Sequence, residues 1–267
     1  MNNMVRDREK IRLWFQLWLV LLVFLNVNDS IAWGPQGHRV VGFIAESHLQ
    51  PKVKKLILEK FNINSLADVA TWADVIRKER EEEKPWHYTN IEDGQWTYNA
   101  ARDCPDGSCV TEQIPKFSGI LADSSVPLQQ RKAALKYLVH FVGDVHQPLH
   151  LGNKKDRGGG TIRFHYKGKK VSLHYLWDGG LVDWRGSLLE YATSLNERVI
   201  ESEVSEWSLS TVSDWANESR RLALNSAYKV ENLSKPYIAR SREIIELRLT
   251  QAGVRLAHLL NTILTIK

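Results

Sequence analysis

Within eleven residues, His140-Phe141-Val142-Gly143-Asp144-Val145-His146-Gln147-Pro148-Leu149-His150, the chain carries three histidines and an aspartate. His140 and Asp144 stand four apart, so on a helix both side chains leave one face, a turn from each other. That spacing lets two ligands reach one metal ion. His174-Tyr175-Leu176-Trp177-Asp178 repeats the interval downstream. Neutral imidazole with carboxylate suits zinc first, then manganese or iron. Upstream lie His38, Asp74 and His87, each alone readable as a cap or a hydrogen-bonded surface residue, and spacing does not bring them to the helix site.

The elements that must carry these residues are mostly helical. The sequence predicts helices over 37–49 and 51–61, and a third from a Ser65 cap to about Glu83, whose tail Lys78-Glu79-Arg80-Glu81-Glu82-Glu83 reads as a solvated end. Residues 98–108 read as loop. Pro127 opens the strongest helical pattern, with Ala134, Leu135, Leu138 and Phe141 at helical spacing, and Pro148 ends it. Thr161–Tyr166 and Val171–His174, split by Lys167-Gly168-Lys169, predict the one β-hairpin. A long helix from about Pro236 to Ile266 ends a mainly α, single helical domain over 33–267.

The chain has 267 residues, 43% of them hydrophobic and 25% charged, enough to build a core and incompatible with a wholly disordered chain. Its first 32 residues read as a secretory signal. Basic residues in Met1–Arg12 precede an apolar run from Leu13 to Val27, and small residues stand at a cut after Ala32. The run is short for a membrane span, which needs roughly 20 residues; an uncleaved anchor is the alternative. Cleavage removes four basic and three acidic residues and takes the formal charge from +5 to +4. Such a mild excess is compatible with an anionic partner without identifying one. In an oxidising compartment, Cys104 and Cys109, around the turn Pro105-Asp106-Gly107-Ser108, read as a small-loop disulfide rather than a metal or redox pair. Asn217 and Asn232 open N-x-S/T sequons and are surface sites if glycosylated.

Trp33-Gly34-x-x-Gly37-His38, Trp72-Ala73-Asp74, Trp86-His87-Tyr88, the 140–150 string and Leu173-His174-x-x-Trp177-Asp178 occur in one order. In this the chain resembles the zinc-dependent class I nucleases, the secreted single-strand-specific nucleases and 3′-nucleotidases of the mung bean nuclease type. The stretch from Arg102-Asp103-Cys104-Pro105 to Cys109-Val110-Thr111 resembles the plant members. The resemblance implies a mainly α, phospholipase C/nuclease-like fold with three zinc ions in a cleft. By it, Asp74, His87, His140 and Asp144 would hold the first ion, and His150, His174 and Asp178 the second. The third would take His38, Asp144 as a bridge, and Trp33 through its free α-amino nitrogen and carbonyl oxygen, with Gly34 and Gly37 easing the terminus into the cleft.

The same resemblance makes Asp74, Arg77 and Asp144 catalytic, with Arg77 on the phosphate. It places Tyr88 under a nucleobase and Asn90 at the base edge, where the family usually has Asp. It implies a secreted monomer that cuts single-stranded DNA and RNA to 5′-phosphorylated products, with no membrane partner after signal cleavage, and with 3′-nucleotidase activity on nucleotides as an extension. Two other readings keep the same residues: a zinc-dependent phospholipase C-type phosphodiesterase, and a secreted zinc-binding protein without catalysis. His146 reads as a packed or hydrogen-bonded neighbour of the site. His48, His165 and His258 read as structural or exposed, and most tryptophans, Trp86 and Trp177 among them, as core.

Overall fold

The computed structural model describes residues 33–184 and 186–265; the expected leader, 1–32, lies outside them. Helix α1 (Pro35–His48) has proline in its first turn, where a missing N–H costs nothing, and buries Val40, Val41, Ile44 and Ala45 together with His38. Helix α2 (Pro51–Phe61) begins on a second proline and ends at Asn62 in the left-handed conformation.

The single helix expected over 65–83 is instead three pieces. Ser65 does cap α3 (Leu66–Val69), its Oγ accepting from the Ala67 N–H. The chain then bends before α4 (Trp72–Ile76) and finishes in a 3-10 turn over Glu81–His87 that contains Pro85. At the first bend the Ala70 carbonyl accepts a hydrogen bond from His140 instead of serving only the local helix. Nor is the charge run wholly solvated: Glu83 is buried, its carboxylate accepting from the Tyr137 hydroxyl at 2.6 Å and from Arg80 at 3.1 Å.

A short α5 (Ala100–Asp103) interrupts the stretch expected as loop, capped by the Asn99 side chain. Cys104 and Cys109 form the expected disulfide. Helix α6 (Val110–Ala122) packs along α7 (Leu128–His146), the central helix, whose residues from Leu138 to His146 are all buried. Pro148 ends α7 as expected and opens a 3-10 turn, Pro148–Leu151.

The hairpin pairs β1 (Arg163–Tyr166) with β2 (Lys169–Ser172), placing Arg163 opposite Ser172 and His165 opposite Lys170. Both turn residues, Lys167 and Gly168, have positive φ, as a two-residue turn of this twist requires. The second strand ends two residues earlier than expected, because the Ser172 hydroxyl caps a helical turn, α8 (Leu173–Tyr175). That turn runs into a π-helical turn over Leu176–Gly180.

Helices α9 (Leu188–Asn196), α10 (Glu201–Ser208) and α11 (Val212–Asn225) follow, α9 and α11 begun by capping boxes at Ser187 and Thr211. The last helix, α12 (Lys235–Thr265), lies against α1 and α7. Gly253 permits this approach: a Cβ there would fall 2.5 Å from the Ile44 side chain. The architecture is mainly α with one hairpin, as expected. Among the described residues no helix is long and apolar enough to cross a membrane.

Candidate metal centre

Helix α7 delivers His140 and Asp144 on one face, and both are fully buried. Three other segments converge on them. Helix α4 brings Asp74, the following 3-10 turn brings His87, and α1 brings His38. His87 Nδ1 lies 3.1 Å from both His140 Nε2 and Asp144 Oδ2. His140 Nε2 lies 3.3 Å from Asp144 Oδ2 and 3.6 Å from Asp74 Oδ1. On the other side of the carboxylate, Asp144 Oδ1 is 3.3 Å from His38 Nε2, and the His38 ring stacks on His140. Beyond Pro148, His150 meets the residues that follow the hairpin: Asp178 Oδ1 is 3.5 Å from His174 Nε2 and 3.9 Å from His150 Nε2.

Three ligand groups result: Asp74, His87 and His140; His38, His140 and Asp144; His150, His174 and Asp178. In each, the donor atoms lie within 4.8 Å of one another. Asp144 stands between the groups, since its Oδ1 is also 3.7 Å from the His150 ring. The three clusters can hold metal ions.

Two observations show that the donor set fits cations. Six of the ten buried side-chain nitrogens and oxygens without a hydrogen-bond partner among the described residues belong to these clusters: both nitrogens of His38, both oxygens of Asp74, Asp144 Oδ1 and His150 Nε2. Leaving such atoms unsatisfied costs roughly 1–3 kcal/mol each, so their concentration in one place marks a site for ions. In addition, His140, His150 and His174 each donate from Nδ1 to a backbone carbonyl at 2.7 Å, on Ala70, His87 and Gly158 respectively. That bond fixes the tautomer and turns the Nε2 lone pair inward, as a metal-binding histidine requires.

The electrostatics agree. Burial drives His150 down to about 3 and His174 to about 4, keeping both imidazoles neutral. Burial lowers His38 and His87 as well. Burial also opposes charge on His140, but Asp144 and Asp74 outweigh it and lift that imidazole to about 9. Asp144 is held well below the usual carboxylate range: burial disfavours its charge, yet His140, His38 and His87 outweigh burial. Burial pushes Asp178 well above that range. Buried carboxylates that draw a proton onto a neighbouring histidine are demanding positive charge, and divalent ions supply more of it.

The remaining expected residues fall around this centre. Trp33 is fully buried, its indole N–H donating to the Gly143 carbonyl at 2.7 Å, and the Gly34 N–H donates to the Asp178 carbonyl at 2.6 Å. The start of the described chain is therefore tied to both His38 and Asp178 neighbourhoods. Arg77 is nearly buried, with Nη2 3.2 Å from Asp74 Oδ1. Tyr88 is 36% exposed, beside the ligand His87, and Asn90 is half-buried two residues on.

Outside the centre, His146 donates to the Val142 carbonyl at 2.7 Å and accepts from Arg255 at 2.9 Å, the packed neighbour expected. His48 meets Asn196 at 2.7 Å, while His165 and His258 are exposed. Trp177 is core and Trp86 half-buried, but Trp96 is 56% exposed. Asn232 is exposed as expected of a sequon. Asn217 is half-buried, its Oδ1 accepting from the Tyr98 N–H at 2.9 Å, and its partner Ser219 is fully buried.

Sequence reasoning missed Gln147. Fully buried, its side-chain amide donates to Asp178 Oδ1 while its carbonyl oxygen accepts from the Leu149 N–H. An amide between His146 and Pro148 in a ligand-rich string was the available signal. The carbonyls of Ala70, His87 and Gly158 carry no signal, because every residue has one.

The whole described chain matches the family model for S1/P1 nuclease, over residues 33–265. Endonuclease 3 of Arabidopsis thaliana is 32% identical, the match covering 94% of this chain and 96% of that protein. Nuclease S1 of Aspergillus oryzae is 30% identical over 88% of this chain and 92% of its own, and nuclease P1 of Penicillium citrinum 28% over 86% and 97%. A match of that extent, on a chain whose histidines and aspartates converge as described, places this protein in the S1/P1 nuclease family.

Proposed function

We propose that this chain is a secreted, monomeric zinc-dependent endonuclease. It hydrolyses phosphodiester bonds of single-stranded DNA and RNA to 5′-phosphorylated products and removes 3′-phosphates from nucleotides. In this reading residues 1–32 are a cleaved leader, 33–267 form the nuclease domain, and Asn232 is the better placed of the two glycosylation sites. The single observation that carries the reading is the convergence of eight histidines and aspartates into three clusters linked through Asp144.

The ligand sets are Asp74, His87, His140 and Asp144 for one zinc, and His150, His174 and Asp178 for a second. His38 and Asp144, with the α-amino nitrogen and carbonyl oxygen of Trp33, hold a third. Bound zinc supplies a water acidified to a pKa of roughly 7 and charge stabilisation of the attacking and departing oxygens. The protein does the rest. Arg77, held by Asp74, presents its guanidinium to a phosphate oxygen. Tyr88 stacks on a nucleobase, worth roughly 1–3 kcal/mol, which requires a base out of its duplex stack. Asn90 offers the base edge both a donor and an acceptor. Burial of the ligands keeps competing water out and strengthens every charge contact.

The test is turnover of single-stranded DNA, single-stranded RNA, duplex DNA and phosphatidylcholine by purified protein, alongside its zinc content and N-terminal sequence. We expect rapid cleavage of the single strands, 5′-phosphate ends, three zinc ions per chain and a start at Trp33. Lipid-only hydrolysis would support a phospholipase C-type enzyme instead. Zinc-replete protein without phosphoesterase activity would support a non-catalytic zinc-binding protein.

A further inference from the structure

Between Asp156 and Asp178 the chain has no acidic residue and five cationic ones: Arg157, Arg163, Lys167, Lys169 and Lys170. This segment carries as many positive charges as the formal net charge of the whole protein, +5. It includes the hairpin and ends in the turn that holds the ligands His174 and Asp178.

The pairing of the hairpin sorts its side chains. Opposite pairs Arg163↔Ser172 and His165↔Lys170 share one face, and Phe164↔Val171 the other. Phe164, Tyr166 and Val171 are half-buried against the core, while Arg163, His165 and Lys170 are exposed. Among the described residues none of Arg163, Lys167, Lys169 and Lys170 forms an ion pair with a carboxylate. Lys167, at the tip, lies over the Tyr166 ring at 5.2 Å from its centroid, which leaves its charge at the surface.

This basic face is continuous with the metal centre. Ser172, across from Arg163, caps the turn that carries His174. His174 in turn is bound through its backbone N–H to Gly159 and through Nδ1 to Gly158, the segment that leads into β1. Lys167 at the tip is four residues from Arg163, so at roughly 3.3 Å per residue it stands roughly 13 Å beyond the Arg163–Ser172 pair. A row of exposed cations of that length, beginning beside the turn that carries His174 and Asp178, fits a phosphodiester backbone and reads no base.

We infer that the exposed face of the hairpin, through Arg163, Lys167 and Lys170, is an extended binding track for the phosphates of a single strand outside the cleft. The inference rests on the nuclease reading above and deepens it: it makes long polynucleotides, rather than short ones, the preferred substrate class. The binding is electrostatic, sequence-independent and weakened by salt.

The test compares wild type with R163Q/K167Q/K170Q, and with K52Q/K54Q/K60Q, which removes the same charge from exposed positions on α2. Zinc content and circular dichroism establish that each variant is folded and loaded. The substrates are a single-stranded 20-nucleotide DNA and a dinucleoside monophosphate, which has only the scissile phosphate. For the hairpin variant we expect KM on the 20-mer to rise about tenfold at low salt. The slope of log(1/KM) against log[salt] should become shallower by about 2, from three lost contacts at about 0.7 each. Its dinucleoside turnover and the α2 variant should match wild type. Equal effects on both substrates, no effect on the 20-mer, or an equal effect of the α2 variant would each overturn the inference. So would a hairpin variant that loses only adhesion to phosphatidylserine vesicles, which would make the face a membrane contact. If wild type cleaves neither substrate, the nuclease reading itself fails, a result distinct from all of these.

Discussion

His150 donates from Nδ1 to the carbonyl oxygen of His87 at 2.7 Å, so a ligand of one cluster is oriented by the backbone of a ligand of another. The link is returned two residues later, where the Thr89 N–H donates to the His150 carbonyl at 2.8 Å. Tyr88 sits between these two bonds. The candidate metal ligands and Tyr88, the residue proposed to stack on a base, are thereby built as one piece, which governs how the centre responds to loss of its ions.

Ion removal should be cooperative. With Asp144 shared between clusters and His150 tied to His87, progressive chelation is expected to remove the ions together, so that activity falls in proportion to zinc content, and to lower Tm by about 10 °C or more. Zinc content, activity and calorimetry followed through one titration check this. Three separate, independent losses would contradict it.

Gln147→Leu keeps the volume but removes the amide that supports Asp178. Outer partners of this kind typically contribute 10–100-fold to metal affinity. We expect zinc at the His150, His174 and Asp178 cluster to bind about 10–100-fold more weakly, measured by competition with a chelator, while loss of the acceptor for the buried Leu149 N–H lowers global stability by about 1–3 kcal/mol.

Gly143→Ala should reverse the usual helix preference for alanine. A Cβ at Gly143 would lie 2.8 Å from His38 Nδ1 and 3.1 Å from its Cε1, both in the metal centre. We expect a loss of about 1–3 kcal/mol from overpacking and fewer zinc ions per chain. Gly119→Ala, on α6 with nothing within 4 Å of the added Cβ, is the contrast. It should stabilise by about 0.5–1 kcal/mol.

Glu218 supplies a pH-dependent share of stability. Burial disfavours its charge, but Arg255 and Arg248 outweigh burial and hold it at about 2 instead of 4.5. A depressed carboxyl stabilises the fold above its unfolded value and loses that contribution as pH falls through the folded value. That share is therefore complete above about pH 5 and fades between 4.5 and 2. Urea unfolding of wild type and Glu218→Gln should show a stability gap at pH 7 that narrows by pH 3. A constant gap would mean that Glu218 does not titrate in this window.

The sequence made the centre legible to the extent that its ligands are local. His140 and Asp144 declare a shared face by spacing, Pro148 declares the end of that face, and Ser65 and Pro127 declare helix starts. His38, Asp74 and His87 do not declare their convergence, which is set by how α1 and α4 pack on α7; only the order of motifs shared with a family pointed to it. The break in the helix expected over 65–83 was hidden for a related reason, since the Ala70 carbonyl is used by a histidine 70 residues away. Glu83 looked like one of a run of surface charges because the Tyr137 hydroxyl that draws it inward lies on another helix. Gln147 was visible as a residue, but its role depends on Asp178, which is 31 positions downstream.

Helix α12 lies along α1, with Leu249 3.4 Å from where a Cβ on Gly37 would stand and Gly253 against Ile44. In a chain made from its N-terminus, α1 and its His38 leave the ribosome about two hundred residues before α12 is complete. Until then the side of α1 that α12 covers stays open, so the helix carrying His38 takes its final packing only when the chain is nearly complete, although every ligand of the three clusters precedes α12.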